Sequence, residues 1–227
     1  MKRNKSILLI GDSQPLPRYI GNTKVNYYET FLYKLKKKYK NYDILEIIIG
    51  GAKFSQLLGQ AAPYYGRSKP NFVIIFGTNM DARVRGISYF EEKLLNLFPF
   101  GYLISKALIQ NNFLQKIRNI KNTDTKTFDK QVKYCLNLFK DSKILWIEMY
   151  VSNQFRLKNK KLSENISIFN KIIKNNLKKN NIFVKVEKEL RKNKSFTNDG
   201  IHINHIGHQT IYNIINKKIL ELSIDKT

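Results

Sequence analysis

Five short apolar runs punctuate the chain, and the stretches between them repeat their apolar residues at the spacing of a helix. The runs "SILLI" (6–10), "YDILEIIIG" (42–50), "NFVIIFG" (71–77), "KILWIEMY" (143–150) and "NIFVKV" (181–186) predict strands. The third is the plainest, because Val73, Ile74, Ile75 and Phe76 are apolar on both pleat faces. Helices are predicted over "YYETFLYKLKKKY" (27–39), with Tyr28, Phe31, Leu32 and Leu35 on one side, and over 125–140, 163–179 and 208–222. "AKFSQLLGQAA" (52–62) reads as a short helix or helical loop.

Strands apolar on both faces, separated by amphipathic helices, imply a mostly parallel sheet covered on both sides. The expected fold is therefore α/β: a three-layer α/β/α sandwich with a five-stranded sheet, flavodoxin-like in class. Ligands of such sheets bind beyond the carboxyl ends of the strands. That gives weight to "GDS" (11–13) after the first strand, "GGAK" (50–53) after the second and "GTNMD" (77–81) after the third.

The tract 86–122 carries more apolar surface than one crossover helix needs. It reads as a helical insertion that forms a lid or substrate wall, adds to the core, or makes a peripheral membrane contact with Lys106, Lys116 and Arg118 away from its apolar side. Across 227 residues one domain, 1–227, is expected. Eighteen apolar residues never run together, so a spanning helix is not expected. "ILLI" after the basic "MKRNKS" is too short for a signal-peptide core. The expectation is a cytoplasmic protein, with attachment to the periphery of the inner membrane left open.

Charge adds a second theme. Forty-one Lys and Arg against seventeen Asp and Glu give a net charge of +24, enough to draw polyanions or an anionic membrane face by its field. Yet the basic residues are mostly lysines scattered among asparagines, as in "KLKKKYKN" (34–41), and read as solvated helix faces. Lysine lacks the planar fork that favours arginine for bidentate base or phosphate contacts, so no specific nucleic-acid partner is expected. The lone cysteine, Cys135, excludes an intrachain disulfide and reads as a helix core residue.

The candidate chemistry lies at the two ends. In "ILLIGDSQPLPR" (7–18), Gly11 permits a tight bend and Pro15 opposes immediate entry into a helix, which would hold the Ser13 hydroxyl out at the sheet edge. Asp12 and Ser13 also suit an ordinary turn cap. In "FTNDGIHINHIGHQ" (196–209), Asp199 precedes His202 by three residues, a spacing at which a compact turn sets the carboxylate against one imidazole nitrogen and leaves the other free. A serine hydroxyl attacks poorly until a neighbouring imidazole takes its proton. Oxyanion donors are available in the Asn79 amide, the Gly51 N–H and the Ser13 N–H, with Gly50 an alternative to Gly51. Asn79 also fits a helix cap, and Gly50-Gly51 a hinge.

These blocks, in this order and across nearly the whole chain, resemble the SGNH, or GDSL-like, hydrolase superfamily: "GDS" at 11–13, "GG" at 50–51, "GTN" at 77–79 and "DGIH" at 199–202. The resemblance implies Ser13 as nucleophile, Asp199 and His202 as its triad partners, and Gly51 and Asn79 as oxyanion donors, with no cofactor. Gln14 stands where the family usually has Leu, and Met80 where it often has Asp; Asp81 is a candidate to replace that carboxylate. "GDS" followed by "PLPR" is similar to members encoded with bacterial glycan-assembly enzymes.

The implied activity is removal of an O-acyl group, in particular O-acetyl, from a carbohydrate or glycan precursor. O-acyl transfer by the same triad and a noncatalytic polyanion or membrane-surface module are the alternatives. Gln14, Arg18, Met80, Asp81 and Arg83 are the candidate substrate contacts; Arg18, Arg83 and Arg85 also read as solvated loop residues, and an acidic sugar or phosphorylated carrier is expected if two of the three face the cleft. His202, His205 and His208 lie three apart and raise a metal site with Asp12 or Asp199, but Gly207 opposes one regular helix across them. No metal is therefore assigned; His205 and His208 are expected to line the cleft or cap the final helix.

Overall fold

A computed structural model of the chain describes residues 5–65, 67–178 and 181–224. In chain order the strands are β1 (Lys5–Gly11), β2 (Arg18–Ile20), β3 (Thr23–Val25), β4 (Tyr42–Ile48), β5 (Phe72–Phe76), β6 (Val84–Arg85), β7 (Ile120–Lys121), β8 (Lys143–Ile147) and β9 (Ile182–Val184). The helices are α1 (Phe31–Lys38), α2 (Phe54–Tyr65), α3 (Asn79–Ala82), α4 (Tyr89–Leu95), α5 (Gly101–Gln110), α6 (Asn112–Arg118), α7 (Thr125–Leu138), α8 (Asn153–Lys158), α9 (Lys160–Asn176), α10 (Glu187–Lys192) and α11 (His205–Ile224).

Five strands form one sheet in the order β4-β1-β5-β8-β9, and every neighbouring pair is parallel. The pleat sends alternate side chains of each strand to opposite faces. Leu8, Ile10, Val73, Ile75, Ile144 and Trp146 meet α2, α7 and α9 on one face. Ile7, Leu9, Ile74, Phe76, Leu145 and Ile147 meet α1 and α11 on the other. This is the expected three-layer α/β/α sandwich, and Cys135 lies in the first of its cores. Among the described residues no helix is long and apolar enough to cross a membrane.

Several elements differ from expectation for local reasons. The helix expected over 27–39 is interrupted at Thr30: Tyr27–Glu29 is a 3-10 turn, and the Thr30 hydroxyl accepts the Tyr33 N–H to cap α1 afresh. The last helix starts at His205, ahead of the expected 208, where the Asn204 side chain accepts the Gly207 N–H. The hairpin β2–β3, the pair β6–β7 and helices α8 and α10 are too short to leave a readable period.

The tract 86–122 is indeed helical, but it does not add to the core. β6 and β7 pair as a short antiparallel stem, Val84 with Lys121 and Arg85 with Ile120. Beyond the stem, α4, α6 and the turn between α4 and α5 leave Phe90, Leu97, Phe98, Phe100 and Phe113 exposed. The expectation of added core packing is thus corrected.

Candidate active site

The first loop is built from close contacts. β1 ends at Gly11, where a Cβ would lie 3.1 Å from Phe76 on the neighbouring strand. The chain then turns, with Leu16 N–H on the Ser13 carbonyl (3.2 Å) and Gln14 N–H on the Asp12 carboxylate (3.0 Å). Asp12 is buried against the backbone of Gly77, whose φ of 72° takes the left-handed conformation that glycine favours. Burial raises the Asp12 carboxyl to about 6, against the opposing pull of the Gln14 N–H, the Arg18 charge and the Thr78 N–H. Ser13 itself remains partly accessible.

The second loop holds the carboxylate and imidazole. Asp199 Oδ1 accepts N–H bonds from Ile201 (2.9 Å) and His202 (3.0 Å) and the Thr197 hydroxyl (2.7 Å). Its Oδ2 lies 2.5 Å from His202 Nδ1. Gly200 makes the turn at φ 71°, so close to the Ser152 hydroxyl that a Cβ would collide with it. Burial pushes the Asp199 carboxyl up, but its hydrogen bonds from the His202 N–H and imidazole, Thr197 and Ile201 outweigh burial and hold it well below the usual carboxylate range. An ionised carboxylate only accepts, so His202 Nδ1 carries the hydrogen between them.

That tautomer presents the lone pair of His202 Nε2 to the Ser13 hydroxyl, 3.1 Å away. Burial, together with the Arg18 charge, lowers the imidazole below its ordinary value despite the pull of Asp199, leaving it neutral at neutral pH. A neutral imidazole can take a proton from Ser13. Residues 13, 199 and 202, expected together from opposite ends of the chain, are therefore brought into one hydrogen-bonded line.

The third side of the site follows β5. Gly77 and Thr78 both have positive φ, 72° and 70°, which swings Asn79 into the first turn of α3. A β-branched residue in that conformation is strained, at about 1–3 kcal/mol. Asn79 Nδ2 donates to the Tyr150 carbonyl at 3.1 Å and retains a second hydrogen, while its buried Oδ1 has no partner among the described residues. Of the glycine pair, Gly50 approaches Ser13: a Cβ there would stand 3.8 Å from that of Ser13, whereas one at Gly51 meets nothing within 4 Å. Gly51 takes φ 71° in the turn closed by the Ala52 N–H on the Ile49 carbonyl.

The candidate substrate contacts divide. Met80 and Arg83 line a cavity of about 300 Å³, with Gly51, Lys53 and Tyr89 among its other walls. Gln14 is only 3% exposed; its amide donates to the Ile201 carbonyl (3.2 Å) and accepts from the Tyr150 hydroxyl (3.3 Å), so it ties the loops together. Asp81 is fully buried, accepting the Phe54 N–H (2.8 Å) and the Thr123 hydroxyl (2.6 Å). It anchors the start of α2 and makes no bond to Asn79, so neither Gln14 nor Asp81 is placed to touch a substrate.

The arginines divide as well. Arg18, half-buried, donates to the Ser13 carbonyl. Arg85 is buried on Glu92 and the Ile87 carbonyl with its guanidinium 3.9 Å from the Tyr89 ring centre, and so is committed to the insertion.

His205 and His208 do not line the cleft. His205 is exposed at the start of α11. His208 is fully buried, its Nδ1 accepting the Phe31 N–H (3.2 Å) at the head of α1, and burial pushes it down to about 3. Among the described residues no group of three His, Cys, Asp or Glu is placed to hold a metal ion.

Tyr150 and Asp12 are the contributors that sequence reading underweighted. Tyr150 stands just past β8 in "KILWIEMY", the position relative to the strand that drew attention to the first three loops. Asp12 lies inside the quoted block, but its contact with Gly77 depends on the register of β1 against β5, which sets Gly11 beside Phe76.

Known proteins share this architecture. The fold is similar to that of a lipase/acylhydrolase from Enterococcus faecalis, at 14% identity over 95% of both chains with a TM-score of 0.62. It is similar to the acetyl xylan esterase AlAXEase, at 15% identity over 94% of this chain and 99% of that one, TM-score 0.60. A family 3 carbohydrate esterase from Clostridium thermocellum aligns at 16% identity over 99% of this chain and 100% of its own, TM-score 0.56. The chain thus has an esterase and lipase type of fold. No protein-family model matches it, and a search of curated proteins returned no match.

Proposed function

We propose that this protein is a serine esterase of the SGNH, or GDSL-like, type that removes an O-acetyl group from a carbohydrate. The observation that carries the reading is the line Ser13 Oγ, His202 Nε2, His202 Nδ1, Asp199 Oδ2, with steps of 3.1 and 2.5 Å. In this reading Ser13 Oγ attacks the ester carbonyl carbon as its proton passes to His202 Nε2. The carbonyl electron pair moves onto oxygen, where the N–H groups of Ser13 and of Gly50 or Gly51 and the second Asn79 amide hydrogen receive it; one such donor is typically worth about a hundredfold or more in rate.

Collapse of the intermediate breaks the bond to the sugar oxygen, which leaves with the proton from His202. Water then gives a proton to His202, attacks the acyl-serine and releases acetate, and the proton returns to Ser13. Asp199 stays ionised throughout and stabilises the imidazolium. A carbohydrate substrate is supported by the polar lining of the cavity beside Gly51, where Arg83 and Lys53 offer positive charge and Gln56, Gln110 and Asn122 add polar side chains. Two of the similar folds are also named as carbohydrate or xylan esterases.

One observation favours acyl transfer as a second reading: Ile109, Gln110 and Gln115 of the insertion wall that cavity, where the two glutamine side chains offer polar contacts to an acceptor alcohol. The test is acetate release from p-nitrophenyl acetate and a panel of O-acetylated sugars, with free sugars added as acceptors, for wild type and Ser13→Ala. Release that vanishes in the variant supports the esterase, and acetyl diverted onto an added sugar supports the transferase. Equal rates, or inactivity in both folded proteins, overturns the proposal and leaves a noncatalytic polyanion-binding module to be tested.

A further inference from the structure

Helix α5 is built inside out. Its buried residues are Gly101 and Ser105, one turn apart, while Tyr102, Leu103 and Ile104 face solvent at 64%, 61% and 49% exposure. A helix serving a core presents its large apolar side chains to that core. Here the small ones face inward, with no room to do otherwise, since a Cβ at Gly101 would collide with the Leu95 carbonyl.

The turn before α5 repeats the pattern: Leu97, Phe98 and Phe100 are 78%, 63% and 79% exposed. Phe90 of α4 and Phe113 of α6 are exposed as well. Apolar residues scattered singly over a surface are ordinary, but this many within one insertion marks an interaction face.

Charge identifies the occupant. The insertion's two carboxylates are both spent internally, Glu91 on Arg118 (2.9 Å) and Glu92 on the buried Arg85. Lys93, Lys106 and Lys116 remain exposed, and none of them is in an ion pair among the described residues. Two copies of a chain carrying +24 repel each other when brought face to face, whereas an anionic bilayer neutralises that charge and accepts the aromatic and leucine side chains. We propose that the α4–α6 insertion docks the protein on an anionic lipid bilayer, with Leu97, Phe98, Phe100 and Leu103 entering the headgroup boundary and the lysines lying among the phosphates. Tyr89, Ile109, Gln110 and Gln115 of the same insertion wall the cavity beside Gly51, so docking holds that cavity at the membrane surface.

The test is co-sedimentation with vesicles of equal parts phosphatidylglycerol and phosphatidylcholine, and with vesicles of phosphatidylcholine alone. Wild type is expected on the anionic vesicles. The triple variant Phe98→Ser, Phe100→Ser, Leu103→Ser keeps the net charge and changes only side chains more than 60% exposed. Its melting temperature should therefore match wild type, and its bound fraction should fall roughly tenfold or more as the apolar contribution is lost. Lys93→Gln with Lys106→Gln and Lys116→Gln should weaken binding at low salt and much less at high salt.

The proposal is overturned if wild type stays in the supernatant with anionic vesicles or if the serine triple variant binds as wild type does. It is equally overturned if lipid-free sedimentation shows a dimer that the same substitutions dissolve, which would give the face to a second copy. Ser13→Ala should bind vesicles unchanged, so this proposal and the esterase reading fail separately.

Discussion

The Asp12 carboxylate fills the space above Gly77 that any side chain at position 77 would need. Two adjacent strands thereby lock their following loops together, the one bearing Ser13 on the one bearing Asn79. The same glycine has φ 72°, so a substitution meets strain as well as collision.

Gly77→Ala is accordingly expected to destabilise the protein by about 2–4 kcal/mol. Gly51→Ala has the same sign of φ but meets nothing within 4 Å, and should cost only about 1 kcal/mol. Urea midpoints of the two variants against wild type check the contrast; equal losses would show that collision with Asp12 is not the cause.

Asp199→Asn retains an acceptor for the loop N–H groups but no longer holds the hydrogen of His202 on Nδ1. The expected result is a folded protein whose kcat on an ester substrate falls by about three to four orders of magnitude, with KM little changed. A loss confined to KM would place Asp199 in substrate binding instead.

The pH dependence of kcat/KM should rise and then level off. Protonation of His202 Nε2 removes the base, and burial sets its titration below the ordinary histidine value, so the plateau should already be reached at neutral pH. A stopped-rate profile with a soluble ester checks this; a midpoint above about 7 would contradict the lowered titration.

Stability should be lost in acid partly through His208. Its folded-state value of about 3 lies below the model-compound 6.5, so the unfolded chain binds the proton first as pH falls below 6.5, and the loss grows until about 3. The contribution is on the order of a few kcal/mol. Asp12 and Asp81, both raised to about 6 by burial, act oppositely, since their folded forms bind the proton first between about 4 and 6. Denaturant titrations of wild type and His208→Gln between pH 7 and pH 4 isolate the histidine: the variant should lose less stability over that interval.

Much of this arrangement was legible because the chemistry sits where the sheet ends. The five strands declare themselves as short apolar runs, most plainly where Val73 to Phe76 are apolar on both faces, and Ser13 and Asn79 stand just beyond two of them. Asp199 and His202 are recognisable through a three-residue spacing with Gly200 between them, which suits a compact turn. Burial was not legible. Gln14 is a polar residue in a loop and Asp81 one in the single turn of α3, and nothing in their neighbours reveals that Phe54, Thr123, Ile201 and Tyr150 converge on them.

For His208 a signal existed. It precedes Ile211, Ile215, Ile219 and Leu222 on the inward stripe of α11, and all five are buried. The outward-facing side chains of α5 resist sequence reading for the opposite reason, since an apolar helix reads as core until its neighbours are seen.

The stem beneath the insertion has its own consequence. Strands β6 and β7 depart from the sandwich side by side, joined by two rungs of pairing. A segment hung from adjacent points can lengthen, shorten or be exchanged without shifting the register of the parallel sheet or the spacing of Ser13, Asp199 and His202. Selection can therefore remodel the length and surface of this appendage while the loops that carry Ser13, Asp199 and His202 stay as they are.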